Sequence, residues 1–282
     1  FIGSHLTERL LNDGHAVTVI DNLASGTVEN LNAVKDNPKL KIHVADVADY
    51  DDIKAEFEGV DWVFHLAGIA DVVPSIQEPI RYHRANVDGT VAVLEASRNA
   101  RVSRFVYAAS SSCYGLPDEV PTPETAEIRP MYPYALSKNL GEQCVMHWNK
   151  VYQLPTVALR LFNVYGLRSR TAGTYGAVFG VFLAQKMAGK PFTVVGDGNQ
   201  SRDFVFVTDV ADAFVRVADS DVSGEAMNIG ADGTHTINEL VGLLGGEAVH
   251  LPKRPGEPDS TFADISKIRN ILGWQPQVRF EE

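Results

Sequence analysis

Short apolar runs recur at steady intervals in the first half of this chain, and segments with helical spacing separate them. Residues 16–20 (AVTVI), 41–45 (KIHVA), 62–66 (WVFHL), 105–108 (FVYA) and 156–161 (TVALRL) read as buried strands. Residues 6–12, 49–57, 87–99 and 134–151 read as the helices between them, with Gly14 placed just past the first and Pro133 at the favoured first position of the last. Strands and helices that alternate at this length predict an α/β fold with a doubly wound parallel sheet. From Asn163 the rhythm loosens and Gly and Pro become more frequent. The spacing therefore predicts a sheet domain over 1–162 and a smaller C-terminal region over 163–282, with 203–222 returning to the sheet domain. The first helix has no strand before it, which would leave a strand edge open at the sheet centre; the expectation is a chain whose first strand, and some residues at its end, lie outside this sequence.

Composition removes several classes. With 45% hydrophobic and 22% charged residues in 282, the chain is that of a globular protein, not a disordered one. Glycines and polar residues interrupt the most apolar stretch, 171–185, so no membrane span is expected, and the start lacks the basic and apolar pattern of a secretory signal. The formal net charge of −11 argues against nucleic acid as a partner, since phosphate binding at that scale needs a basic field. Two cysteines, Cys113 and Cys144, form no CxxC pair, which suits a reducing cytoplasm and a chain without a structural zinc site. HExxH and GxSxG are absent, and no metal site is expected.

The chemistry-bearing residues cluster at predicted strand ends, where parallel sheets bind ligands. Gly3 precedes a helix and Asp21 ends the following strand, the second half of a dinucleotide fingerprint in which the carboxylate receives ribose hydroxyls. An acid there favours NAD over its 2′-phosphorylated form. Asp46 ends the next strand, and Leu66, Ala67 and Gly68 offer small groups after the one beyond. Tyr134 and Lys138 share one face of a helix. A lysine ammonium beside a phenol would lower its pKa from about 10 and make it a general base. The YxxxK spacing is common, and Tyr50 with Lys54 repeats it on a predicted surface helix. The Tyr134 copy is set apart by Ser110-Ser111-Ser112, which follows a predicted strand and could relay a proton.

Nine stretches carry a resemblance: FIGSHL (1–6), VIDNLASG (19–26), HLAG (65–68), ANVDGT (85–90), YAASSSCYG (107–115), YPYALSK (132–138), LRLFNVYG (159–166), GDGNQSRDFVFVTD (196–209) and LPKRPGEPDSTFADISK (251–267). In this order they resemble the extended short-chain dehydrogenases/reductases, in their UDP-glucose 4-epimerase-like nucleotide-sugar branch. The resemblance implies a Rossmann-type domain holding NAD. Phe1, Ile2 and Gly3 would belong to the glycine loop, and Asp21, Asn22, Ser25, Gly26, Asp46 and Val47 would meet the adenosine. Leu66, Ala67, Gly68 and Phe162, with Tyr134 and Lys138, would line the rest of the cofactor. Ser110, Tyr134 and Lys138 fall on the family's catalytic triad. Ser110, Ser111, Asn163, Thr193, Arg202, Arg254 and Glu257 fall on its nucleotide-sugar contacts, with Thr193 acting mainly through backbone. A homodimer through the helices at 87–99 and 134–151 is also implied.

Within that branch, 4,6-dehydratases carry an Asp-Glu pair where this chain has Ser111 and Ser112, and decarboxylases keep an acid at the second position. Epimerase–reductases place a cysteine at the position of Ser112, whereas Cys113 stands one residue later. Simple 4-epimerisation, which needs only the triad, is the expected reaction, with other 4-keto chemistry of the same branch (reductase or dehydratase) or a non-catalytic NAD-binding regulator as the alternatives. Val178-Phe179 stands where some relatives have Asn-Leu. Thr261 matches a gate position that is bulky in strict glucose/galactose epimerases, and its small size leaves room for a 2-N-acetyl group.

Overall fold

A computed structural model describes residues 1–169, 178–253 and 258–282. The chain runs α1 (Ile2–Asn12), β1 (Val17–Ile20), β2 (Leu40–His43), α2 (Tyr50–Ile53), β3 (Trp62–His65), α3 (Val72–Gln77), α4 (Pro79–His83), α5 (Gly89–Ala100), β4 (Arg104–Ser110), α6 (Pro133–Tyr152) and β5 (Thr156–Leu161). It continues through β6 (Asn163–Tyr165), α7 (Val178–Met187), β7 (Phe192–Val195), β8 (Ser201–Arg202), β9 (Phe204–Phe206), α8 (Val207–Ala218), β10 (Glu225–Ile229), β11 (His235–Thr236), α9 (Ile237–Leu244), β12 (Ala248–Leu251), β13 (Ser260–Thr261) and α10 (Ser266–Leu272).

The central sheet is parallel, with order β10-β5-β4-β3, and β1 pairs in parallel with β2 beside it. Strand β5 is buried along its whole length, as an interior strand of a sheet covered on both faces must be. One face packs Leu6 and Leu10 of α1, Val210 and Phe214 of α8, and Trp274 against Val106, Leu159 and Met227. The other packs Val93 and Leu94 of α5 and Val145 of α6 against Phe105, Tyr107 and Ala158. The sheet's outer strand comes from Glu225–Ile229, beyond the 203–222 stretch. A third cluster, built on Phe182, Phe192, Val194, Phe204 and Leu240, forms the core of the C-terminal region.

The local signals explain most elements. Pro133 does open α6, where its missing N–H costs nothing. Gly14, with φ +92°, follows α1. Two expected helices are divided. The 49–57 segment is α2 followed by a 3-10 turn at Lys54–Phe57. The 87–99 helix belongs to a helical path from Pro79 to Ala100 that is interrupted by a π turn at Arg84–Asp88. The wider turn changes which side chains face the sheet end, a device common beside functional sites. Among the described residues no helix is long and apolar enough to cross a membrane, and no group of three or more His, Cys, Asp or Glu could hold a metal ion.

Candidate active site

A cavity of about 2250 Å³ lies along the C-terminal ends of the parallel strands and extends between β1 and β3, which do not pair with each other. Every residue expected to meet the cofactor lines it: Phe1, Ile2, Gly3, Asp21, Asn22, Ser25, Gly26, Asp46, Val47, Leu66, Ala67, Gly68, Tyr134, Lys138 and Phe162. Ser110, Ser111, Asn163, Thr193 and Arg202 line it as well, with Thr261, Val178 and Phe179. Arg254 and Glu257 lie outside the described residues. The rival pair separates cleanly: Tyr50 and Lys54 line a different, shallow cleft, and the Lys54 ammonium is tied to Asp51 at 2.5 Å.

At the first strand end, one oxygen of Asp21 accepts the Leu23 N–H at 2.7 Å, which turns the chain immediately after β1. A Cβ on Gly26 would stand 2.9 Å from the other oxygen, so only glycine lets the loop close around this carboxylate. Asp46 holds the next turn through the Ala48 N–H at 3.0 Å, and Asn22 does the same for Ala24 at 3.1 Å. In front of α1 the space is open: a Cβ on Gly3 would meet nothing within 4 Å. Backbone N–H groups at a helix start suit a pyrophosphate. The residues therefore fit a dinucleotide, with a helix start for the phosphates and a strand-end acid for the ribose.

Asn86, which the sequence left without a role, organises the middle of the site. It sits in the π turn at 1% exposure. Its side-chain oxygen accepts the Ile69 N–H at 2.8 Å, and its amide donates to the Ile69 carbonyl at 3.0 Å and to Ser137 Oγ at 2.9 Å. Ser137 Oγ donates onward to the Tyr134 carbonyl at 2.8 Å. A Cβ on Gly68 would come within 2.8 Å of the Asn86 oxygen. One buried amide thus fixes the 66–69 loop against α6 directly beside Tyr134.

The hydroxyls of the triad form a chain. Tyr134 Oη donates to Ser110 Oγ at 3.4 Å, and Ser110 Oγ lies 2.8 Å from Ser112 Oγ. Tyr82 packs edge-on against Tyr134, with ring centroids 6.5 Å apart. The expected effect of Lys138 on the phenol is not what the protein alone provides. Burial pushes the Tyr134 pKa up, the Ser110 hydrogen bond opposes that, and the Asp71 carboxylate pushes it further up. The Lys138 ammonium stands over the Tyr107 ring, 4.3 Å from its centroid, and burial lowers its own pKa to about 7, so in the protein alone it loses its proton before the phenol does.

Toward the C-terminal region, Asn163 Oδ1 accepts from Thr261 Oγ1 at 3.0 Å, so the gate position and a candidate sugar contact are linked. Arg202 is buried and donates to the Ser201 carbonyl at 2.8 Å. Thr193 is held by α7. Its N–H donates to Gln185 Oε1 at 3.1 Å and its hydroxyl accepts from Gln185 Nε2 at 2.8 Å.

Two buried polar groups brace the site from below. Arg160, on β5, makes paired contacts with Glu142 of α6 at 2.6 and 3.0 Å and donates to Tyr114 Oη at 2.8 Å. Tyr114 in turn donates to Asn228 at 2.7 Å. Asp203, fully buried, accepts the N–H groups of Ala231 at 2.6 Å and Ala263 at 3.0 Å. Neither set was marked from the sequence.

A parallel sheet with a dinucleotide-type cavity at its strand ends and a Ser–Tyr–Lys cluster inside it defines an NAD-linked short-chain dehydrogenase/reductase architecture. Residues 1–230 match the model of the NAD dependent epimerase/dehydratase family, and the chain belongs to that family, with NAD as its cofactor. It is 37% identical to a UDP-glucose 4-epimerase of Mycolicibacterium smegmatis, over 100% of this chain and 92% of that protein. Among solved structures it is similar to a UDP-N-acetylglucosamine 4-epimerase of Methanobrevibacter ruminantium in complex with UDP-N-acetylmuramic acid, with a TM-score of 0.94 and 35% identity over 100% of this chain and 91% of that one. It is also similar to the UDP-glucose 4-epimerase of Thermotoga maritima with UDP-glucose, with a TM-score of 0.93 and 34% identity over 100% and 92% of the two chains.

Proposed function

We propose that this protein is a nucleotide-sugar 4-epimerase acting on a UDP-hexose of the UDP-GlcNAc or UDP-glucose type, through a transient 4-keto sugar. The observation that carries the reading is the hydroxyl chain Tyr134–Ser110–Ser112, which ends on a serine where elimination would need an acid. Relatives named for UDP-glucose and UDP-N-acetylglucosamine support the substrate class.

When bound, NAD supplies a hydride acceptor and the positive charge of its nicotinamide ring. Ser110 receives the hydrogen bond of the sugar 4-hydroxyl and passes its proton to Tyr134, which acts as general base and then as general acid on the return. Burial and Asp71 push the Tyr134 pKa up, so a phenolate there would need positive charge nearby, which bound NAD would supply. Lys138, with its Nζ near the Gly68 edge of the cofactor loop, holds the ribose. Asn86 keeps that loop and α6 in register. Asn163 and Arg202 hold the sugar and diphosphate, and Arg254 and Glu257 are assigned to the same ligand on their motif positions. Thr261, small and bonded to Asn163, leaves the sugar's 2-position room for an N-acetyl group. A homodimer through α5 and α6 is part of the reading, supported by Leu136 and Val151 of α6, which stand 46% and 51% exposed.

The test is a proton NMR time course with NAD⁺ and, in parallel, UDP-GlcNAc and UDP-glucose, beside a Tyr134→Phe control. The 4-epimer anomeric signal should grow faster for UDP-GlcNAc and be absent in the control. A 4-keto-6-deoxy product would replace the reading with elimination chemistry.

A further inference from the structure

Lys138 is 7% exposed, and among the described residues its ammonium has no hydrogen-bonding carboxylate or carbonyl. The nearest acid along α6, Glu142, is committed to Arg160. What the ammonium does have is the Tyr107 ring, 4.3 Å away at its centroid. That ring is fully buried and held on several sides. Its hydroxyl donates to the Lys138 carbonyl at 3.3 Å, and a Cβ on Gly141 would come within 2.4 Å of the same hydroxyl. The His65 ring of β3 stacks on it at 5.6 Å and 30°, and His65 is itself fixed by Thr90 Oγ1 at 3.0 Å. A ring this constrained is a fixed platform rather than a chance contact.

We infer that Tyr107 is a positioning residue of the proposed reaction, whose aromatic face seats the Lys138 ammonium and keeps it charged inside a buried site. A desolvated ammonium gains most from a ring face, because water no longer competes for it. The other groups around the ammonium are consistent with this. Burial pulls Lys138 down to about 7 and Glu142 opposes the fall, while burial and Lys138 drive His65 down to about 3, so no imidazolium competes for the ring. Tyr134 and Cys144 act on Tyr107, whose phenol burial keeps protonated. The role of Lys138 in catalysis rests on the proposed function; the seat itself does not.

The test therefore reads Lys138 directly. The lysine Cε resonances of the full chain, without sugar, are followed by carbon NMR across pH 5.5–9.5, with Lys138→Met assigning the signal. Tyr107→Phe keeps the ring and should leave the Lys138 midpoint unchanged. Tyr107→pentafluorophenylalanine keeps the shape and reverses the face potential, and should lower the midpoint by about one pH unit. The neutral-to-alkaline limb of the epimerisation rate, along which the ammonium is lost, should move with it. Tyr107→Leu should shift the midpoint in the same direction; if it fails to fold, the fluorinated ring still decides. An unchanged midpoint in the folded fluorinated variant overturns the inference, whatever sugar the enzyme takes. A shifted midpoint without any epimerisation in the parent protein would keep the seat and discard the reaction.

Discussion

Replacing Asn86 by alanine tests the claim that one buried amide sets the cofactor loop. Three side-chain hydrogen bonds are lost, two to Ile69 and one to Ser137. At about 1 kcal/mol net each they sum to about 3 kcal/mol, with a further cost wherever water cannot reach the groups left behind. The turn itself should survive, because Thr90 Oγ1 donates to the Asn86 backbone carbonyl at 2.7 Å and that contact does not involve the amide. For a chain of this size, about 3 kcal/mol corresponds to a fall in Tm of roughly 5–8 °C. Loss of loop order should also weaken NAD binding about tenfold, the equivalent of about 1.4 kcal/mol. Scanning calorimetry and titration calorimetry with NAD⁺ read the two effects separately. Asn86→Asp keeps the acceptor for the Ile69 N–H but gives up both donations and buries a carboxylate against the Ile69 carbonyl, so it should be no more stable than Asn86→Ala. An Asn86→Ala protein with a Tm within about 1 °C of the parent and unchanged NAD affinity would refute the argument.

Three further outcomes follow from the same contacts. Glu142→Leu leaves the Arg160 guanidinium buried without its partner and should cost about 3–5 kcal/mol in urea denaturation, whereas Glu142→Leu combined with Arg160→Met should recover much of that loss. Burial raises the Asp203 carboxyl from its ordinary 3.8 to about 7, so the folded protein keeps a proton there that the unfolded chain releases. Through this group, stability should fall as pH rises from about 4 to about 7 and then level off, the reverse of an ion-paired carboxylate, and urea midpoints against pH should lose that slope in Asp203→Asn. Ser110→Ala should slow epimerisation by about 10²–10⁴-fold, and Ser112→Ala, whose hydroxyl is bonded to Ser110, by much less; equal losses in the NMR time course would mean that Ser112 itself meets the sugar.

What the sequence made legible was whatever depends on local order. The strands at 62–66 and 156–161 and the helix at 134–151 were readable because apolar spacing and Pro133 act over a few residues. The strand-end candidates Asp21, Asp46, Gly68 and Ser110 were readable because parallel sheets place ligands at that edge. The two YxxxK copies show the limit of spacing as a signal. Both have the same offset, and only the fold decides that Lys138 is buried at the cavity while Lys54 pairs with Asp51 on the surface.

The residues that escaped notice share a physical property: their partners are distant in sequence and their own type is locally misleading. Arg160 stands inside the apolar run TVALRL and finds Glu142 across the sheet–helix interface, while Asn86 reaches Ile69 and Ser137 only because a π turn redirects it. The direction of the Lys138 side chain belongs to the same group. The one-face argument placed Tyr134 and Lys138 together on α6 and was right about the helix, but a side chain's charge acts where its tip lies. That tip lies over a ring contributed by β4, a residue that no offset along α6 could supply. The chemistry this leaves is divided between partners. The chain provides the Tyr134–Ser110–Ser112 hydroxyls and a buried amine over the Tyr107 ring, and on the proposed reading bound NAD would add the positive charge that favours ionisation of Tyr134, so that proton removal would depend on the oxidised cofactor.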